Sequence, residues 1–182
     1  MILKKYITFV IGGCRSGKSS FALDEANKTA KKHKCFIATS LPLDPEMQSR
    51  VEKHRNERGK DWQTIEEPVL IDEKINEYSG KAGVILIDCL TLWLSNLLAR
   101  SYDSADILAL LEKFEQALLN CECPVFLVSN EVGLGIVPEN RLAREFRDLA
   151  GMIHQRMAKL SDRVVMTIAG IDVEIKPGQK SR

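Results

Sequence analysis

Residues 6–19, Tyr6-Ile7-Thr8-Phe9-Val10-Ile11-Gly12-Gly13-Cys14-Arg15-Ser16-Gly17-Lys18-Ser19, decide the reading of this chain. The run Tyr6–Ile11 is rich in β-branched and aromatic residues and predicts a buried strand. From Lys18 onward, Phe21, Ala22, Ala26 and Ala30 recur at helical spacing. Between strand and helix, Gly12 to Ser19 fits G-x-x-x-x-G-K-[ST] in full. Glycines there let the loop curl until backbone N–H groups point inward at phosphate oxygens, and the helix N-terminus adds partial positive charge. Lys18 is expected to reach the β and γ phosphates of a nucleoside triphosphate. Ser19 is expected to hold Mg²⁺ through its hydroxyl. A chance glycine turn would not come framed by a strand and a helix.

Outward from this stretch, aliphatic runs alternate with helical patterns. Cys35–Thr39, Trp62–Ile65, Val84–Ile87 and Val125–Val128 read as strands, and 42–59 as a polar helix. Further helices are expected over Leu90–Leu98 and Ile107–Leu119 and along the series Leu142 to Leu160. Val164–Ile168 and Val173–Ile175 close the chain as a hairpin around Ala169-Gly170. The pattern predicts an α/β fold: a mainly parallel sheet with helices on both faces and an antiparallel C-terminal edge, in the manner of a P-loop NTPase. Ligands of such sheets sit at the carboxyl ends of the strands. Asp88, ending the run Val84–Ile87, is expected there beside the loop as a ligand of the metal or its water shell. The competing reading makes it a helix cap ahead of Leu90.

Composition agrees with a globular enzyme. The 182 residues carry 26 Lys plus Arg against 25 Asp plus Glu, a net charge of +1, and 45% are hydrophobic. A near-neutral chain lacks the electrostatic footprint of a nucleic-acid binder. No run approaches the ~20 apolar residues of a membrane span, and the first residues do not read as a signal peptide. The five cysteines are odd in number and scattered, and His33, His54 and His154 are dispersed. This points to reduced, mostly buried thiols in a cytoplasmic protein rather than a zinc site.

One segment is less ordinary. On a helix, Arg50, His54 and Arg58 fall at four-residue steps, with Arg55 beside them. Such a stripe offers cations for phosphates and one imidazole that is neutral, hence nucleophilic, near pH 7. Spacing alone also fits a solvated helix face.

Longer blocks add a resemblance. Gly12–Ser19, Ile37-Ala-Thr-Ser40, Asp44-Pro-Glu-Met47, Arg50-Val-Glu-Lys-His-Arg55, Trp62-Gln-Thr-Ile-Glu-Glu-Pro68, Asp88-Cys-Leu-Thr-Leu-Trp-Leu-Ser-Asn-Leu-Leu98, Ser129-Asn-Glu-Val-Gly-Leu-Gly-Ile-Val-Pro138 and Arg144-Glu-Phe-Arg-Asp-Leu-Ala-Gly151 follow in order. Together they resemble the bifunctional adenosylcobinamide kinase/adenosylcobinamide-phosphate guanylyltransferase family of cobalamin synthesis, over nearly the whole chain. The resemblance implies a single nucleotide-binding domain over residues 1–182 with two reactions. The first phosphorylates the aminopropanol hydroxyl of adenosylcobinamide with ATP or GTP. In the second, a histidine takes GMP from GTP and passes it to adenosylcobinamide phosphate, giving adenosylcobinamide-GDP. That histidine carries over to His54. The family's nucleotide contacts fall on Gly12, Gly13, Cys14, Arg15, Ser16, Gly17, Lys18 and Ser19, on Ala38, Thr39 and Ser40, and on Arg55, Asn56, Glu57 and Arg58. Glu66 and Asp88 complete the site; Glu66 is suited to accept hydrogen bonds from guanine, the alternative being a surface acid before Pro68. The family also implies a homo-oligomer, a trimer in one form.

Departures from the family pattern are small: Cys14 replaces an alanine, and Gly59 stands where proline is usual. Asn130, Glu131 and Gly133–Pro138 form a glycine-bearing loop that suits part of the corrinoid site or a subunit contact. The stripe Leu90, Trp93, Leu94 and Leu97 reads as core or subunit interface. Two plainer readings share the loop: a small-molecule kinase without a covalent intermediate, and a GTP-binding switch protein.

Overall fold

The computed structural model describes residues 5–41 and 59–178. In chain order its strands are β1 (Ile7–Gly12), β2 (Lys34–Ala38), β3 (Trp62–Glu66), β4 (Val84–Asp88), β5 (Val125–Asn130), β6 (Arg163–Ile168) and β7 (Ile171–Lys176). The helices among the described residues are α1 (Lys18–Thr29), α2 (Ile71–Tyr78), α3 (Leu90–Ala99), α4 (Ser104–Asn120) and α5 (Arg141–Leu160).

One seven-stranded sheet runs β3-β2-β4-β5-β1-β6-β7. Every neighbouring pair is parallel except β6 with β7. The alternation of side chains along each strand sorts them onto two cores. Ile7, Phe9, Ile37, Ile85, Ile87, Val125 and Leu127 pack with α2 to α5 on one face. Val10, Phe36, Leu86, Phe126 and Val128 pack with Ala22, Ala26 and Ala30, in and just after α1, on the other. Central strands covered on both sides must be apolar throughout, which is why they read as unbroken aliphatic runs.

The Trp93 stripe is core: Leu90, Trp93, Leu94 and Leu97 are buried, and the indole N–H of Trp93 donates to Val69 O at 2.8 Å. Helix α2 was absent from the sequence reading. It is two turns long and buries only Ile71 and Ile75 among its apolar side chains, too short a repeat to stand out from a loop. The final hairpin turns through Ala169 (φ 51°) and Gly170 (φ 80°), both left-handed, as a two-residue turn between twisted strands requires. The helix expected over 42–59 falls almost entirely outside the described residues.

Candidate functional site

The phosphate loop leaves β1 at Gly12 and enters α1 at Gly17, whose φ of 99° lies in the left-handed region. Within the turn, Ser16 N donates to Gly13 O at 3.3 Å, and Phe21 N donates to Gly17 O at 2.9 Å. No side chain caps α1 and no acid occupies its first turn, so its N-terminal field is open to an anion. Lys18 is 8% exposed and folds back over the loop, its Nζ donating to Gly13 O at 3.1 Å. Cys14 and Arg15 sit exposed at the apex, Ser19 is half-buried in the first turn, and Ser16 is buried.

Ser16 is held from the far end of the chain. Its hydroxyl meets Thr167 Oγ1 at 2.7 Å, and its carbonyl accepts from Gly170 N at 2.9 Å. The C-terminal hairpin is therefore a brace for the phosphate loop, a role the sequence reading did not give it. Gly12 is a close-approach position: a Cβ there would lie 2.5 Å from Ser16 Oγ, Thr167 O and Thr167 Oγ1.

Register carries this edge across the sheet. Gly12 pairs with Asn130 and with Thr167, Asp88 pairs with Val128 and Ala38, and Ala38 pairs with Glu66. Asp88 is partly buried at the carboxyl end of β4, as expected. β4 does not adjoin β1, because β5 lies between them. Two strand spacings, about 10 Å, separate their axes. Nor is Asp88 the residue capping α3; Cys89 holds the N-cap position, and no side-chain cap bond is made there. Burial, with the Asp88 carboxylate beside it, pushes the Cys89 thiol up to about 11, and the charge of Lys18 pulls the other way. Lys18 and Asp88 thus share one electrostatic neighbourhood.

Asn130 fills the intervening strand end. Its Nδ2 donates to Thr91 Oγ1 at 3.0 Å, tying β5 to α3 between Gly12 and Asp88. Thr39 is wholly buried: its hydroxyl donates to Cys89 O and accepts from Cys89 N, both at 2.7 Å. Asn96 adds a bond from Nδ2 to Thr39 O at 2.7 Å. Of the segment Ala38, Thr39 and Ser40, only Ser40 is more than slightly exposed.

Glu66 is exposed on the same edge, at the carboxyl end of β3. It stands four strand spacings from β1, about 19 Å, so the structure does not bring it against the phosphate loop. His54, Arg55, Asn56, Glu57 and Arg58 lie outside the described residues, in the connection from β2 to β3. The loop after β5 is folded by Glu131, whose carboxylate accepts from Gly133 N at 2.6 Å and Leu134 N at 3.0 Å. Leu134, Ile136 and Val137 beyond it are exposed.

A magnesium ion suits the donors on this edge. Among the described residues no cluster of three or more His, Cys, Asp or Glu could cage a metal. The Ser19 hydroxyl and Asp88 carboxylate are hard oxygen donors, and Mg²⁺ is typically held by one or two such protein groups together with substrate phosphates.

Strand, glycine loop, buried lysine and open helix terminus define a P-loop nucleotide-binding enzyme. Solved structures agree on the fold. Flagellar accessory protein FlaH from Methanocaldococcus jannaschii matches 95% of this chain and 79% of that one at 13% identity, TM-score 0.54. The RadB recombinase matches 88% and 73% at 15% identity, also with TM-score 0.54. Closer relatives narrow the class. Residues 8–175 match the family model for cobinamide kinase / cobinamide phosphate guanyltransferase. The bifunctional adenosylcobalamin biosynthesis protein CobU of Escherichia coli is 40% identical over 179 residues, covering 92% of this chain and 98% of the relative. CobP of Pseudomonas aeruginosa, which bears the same description, is 39% identical over 171 residues, covering 92% and 95%. The chain belongs to the cobinamide kinase / cobinamide phosphate guanyltransferase family and is a bifunctional enzyme, kinase and guanylyltransferase.

Proposed function

We propose that the chain phosphorylates the aminopropanol hydroxyl of adenosylcobinamide and then guanylylates the product, in cobalamin nucleotide-loop assembly. The observation that carries this reading is the phosphate loop: an uncapped helix terminus with Lys18 folded across it, at one end of a strand edge that also carries Asp88 and Glu66. In the kinase step the substrate hydroxyl oxygen attacks the γ-phosphorus of ATP or GTP. The β–γ bridging oxygen leaves with the nucleoside diphosphate, and the hydroxyl proton is lost. Lys18 and the loop amides, from Gly12 through Cys14, Arg15, Ser16 and Gly17, neutralise charge on the phosphates. Ser19 and Asp88 would hold Mg²⁺, which supplies further charge neutralisation when bound.

In the second step a ring nitrogen of His54 attacks the α-phosphorus of GTP, forming a P–N bond and releasing pyrophosphate. A phosphate oxygen of adenosylcobinamide phosphate then attacks the same phosphorus, breaks the P–N bond and gives adenosylcobinamide-GDP. Arg55, Asn56, Glu57 and Arg58, with Ser40 at the end of β2, contact the nucleotide in this reading. The guanine edge donates to Glu66, whose distance from the loop suits a GTP lying along the strand ends. The exposed residues Leu134, Ile136 and Val137 offer apolar surface to the corrinoid. A single domain carries both activities, in the cytoplasm and within a homo-oligomer, a trimer as the family resemblance implies. Among the described residues no helix is long and apolar enough to cross a membrane.

The test is incubation with GTP labelled at the α-phosphate. The wild-type protein should retain label that survives base and is lost in acid. His54→Ala should retain none and lose the transferase reaction while keeping part of the kinase activity. Acid-labile label on His54→Ala would remove His54 from the mechanism, and absence of label on wild type would leave the plainer kinase reading.

A further inference from the structure

The amino-terminal edge of the sheet holds a cleft that none of the chemistry above uses. β2 and β3 begin there with Lys34 and Trp62 paired in register, and Tyr78 at the end of α2 forms part of the wall. The cleft has a volume of about 490 Å³, within the range of small-molecule sites. The phosphate loop lies at the opposite ends of these strands. Five residues of β2 alone separate the two edges by about 13 Å.

The lining is strongly positive. Lys32, Lys34, Lys60 and Lys81 border the cleft together with His33, and among the described lining residues Asp61 is the single carboxylate. This concentration sits in a chain whose total net charge is +1. Glu77, close by on α2, is held by Lys74 at 2.7 Å. Glu122, beside Gly80, stands outside the lining.

Lys34 is the telling residue. It is only 8% exposed, yet among the described residues no carboxylate pairs with it. Its Nζ donates to Asn27 Oδ1 at 2.7 Å and stands 5.7 Å from the centre of the Trp62 ring. The Trp62 indole N–H donates to the same Asn27 oxygen at 3.0 Å, fixing the ring beneath the ammonium. An ammonium has three donors, and a neutral amide with a ring face leaves most of the charge uncompensated. A desolvated cation on the floor and three exposed lysines at the rim make a receptor for an anion with several charges.

We propose that this cleft is a second binding site, separate from the phosphate loop, for a polyvalent phosphate anion: an inorganic phosphate chain or the phosphate tail of a nucleotide. Among the described residues the lining contains no arginine, so recognition there rests on point charges rather than on a planar fork. Affinity should therefore follow charge number, tripolyphosphate above pyrophosphate above orthophosphate, and weaken as salt rises.

The test uses the full-length chain and calorimetric titration with tripolyphosphate, pyrophosphate and orthophosphate. Wild type should bind two equivalents of tripolyphosphate. Lys18→Ala, which silences the phosphate loop, should still bind one. Adding Lys32→Glu and Lys81→Glu should weaken that remaining site by about tenfold or more for each lysine, the scale of a lost charge-assisted contact. Lys32→Arg with Lys81→Arg, which keeps the charge, should bind within a few-fold of the parent. In the Lys18→Ala protein, GTP binding at least as tightly as tripolyphosphate would assign the site to nucleotides, and weaker binding to inorganic chains. A single equivalent on wild type, no binding to a folded Lys18→Ala protein, or binding indifferent to charge reversal would overturn the proposal.

Discussion

The phosphate loop and the junction where β2 and β4 meet α3 lie on the same edge of the sheet but are held by different means. The loop is shaped by backbone: a left-handed Gly17, a turn closed within four residues, and a Gly12 that cannot take a Cβ. The junction is shaped by side chains from distant parts of the sequence. There the Thr39 hydroxyl bridges Cys89 O and Cys89 N, and Asn96 holds Thr39 O. Backbone shape tolerates no added atom, whereas a side-chain clamp fails when a polar group is removed. The two regions therefore break in opposite ways.

Gly12→Ala should give the largest effect. Its new methyl would need room now filled by Thr167 O, a backbone atom that cannot swing aside. Overpacking of this kind costs about 1–3 kcal/mol or more in stability. Displacing the cradle by even ~1 Å should lower both activities about 10²-fold. Steady-state assays of both reactions alongside a thermal melt check this. Thr39→Val tests the junction by subtraction. It keeps the shape but strips the bridging hydroxyl from two buried groups of Cys89, at about 1–3 kcal/mol for each group left unsatisfied. Because 1 kcal/mol shifts Tm by about 2–4 °C at this chain length, the melt should move down by several degrees. Lys18 and its loop should keep their phosphate affinity. A Thr39→Val protein that melts normally would show the clamp to be unnecessary.

The smallest effect lies on β5, the strand between the two regions. Ser129 Oγ meets His154 Nε2 at 2.8 Å, and burial holds the imidazole below its ordinary 6.5 despite the Glu131 carboxylate. Below pH 6.5 the unfolded chain then takes up more protons at this residue than the folded one. Its contribution is fully present above pH 6.5 and is lost as pH falls toward the lowered folded value. Wild type should therefore lose thermal stability on acidification more steeply than His154→Gln, which does not titrate. Equal slopes for the two proteins would show that His154 does not carry the effect.

What the sequence disclosed follows the same division. Local features were legible: the glycine loop between strand and helix, the aliphatic runs of β4 and β5, and the hairpin around Ala169-Gly170. Each is written in neighbouring residues. Long-range pairings were not. Ser16 meets Thr167 across 151 positions and Thr39 meets Cys89 across 50, and nothing in a threonine's surroundings in the sequence announces such a partner. The insertion of β5 between β1 and β4 is likewise a property of strand order, which neighbouring residues do not spell out. Asn130 was grouped with the corrinoid loop because it follows an apolar run. Its position between Gly12 and Asp88 appears only once the sheet is ordered.

The central claim is that one phosphate loop, closed by Lys18, serves both reactions, and Lys18→Ala with both assays run on the same preparation tests it most directly. Removing the cation from a preorganised phosphate site should lower the kinase and guanylyltransferase rates each by about 10²–10³, with the melting temperature little changed. Near-normal turnover of either reaction in that variant would show that its triphosphate binds elsewhere.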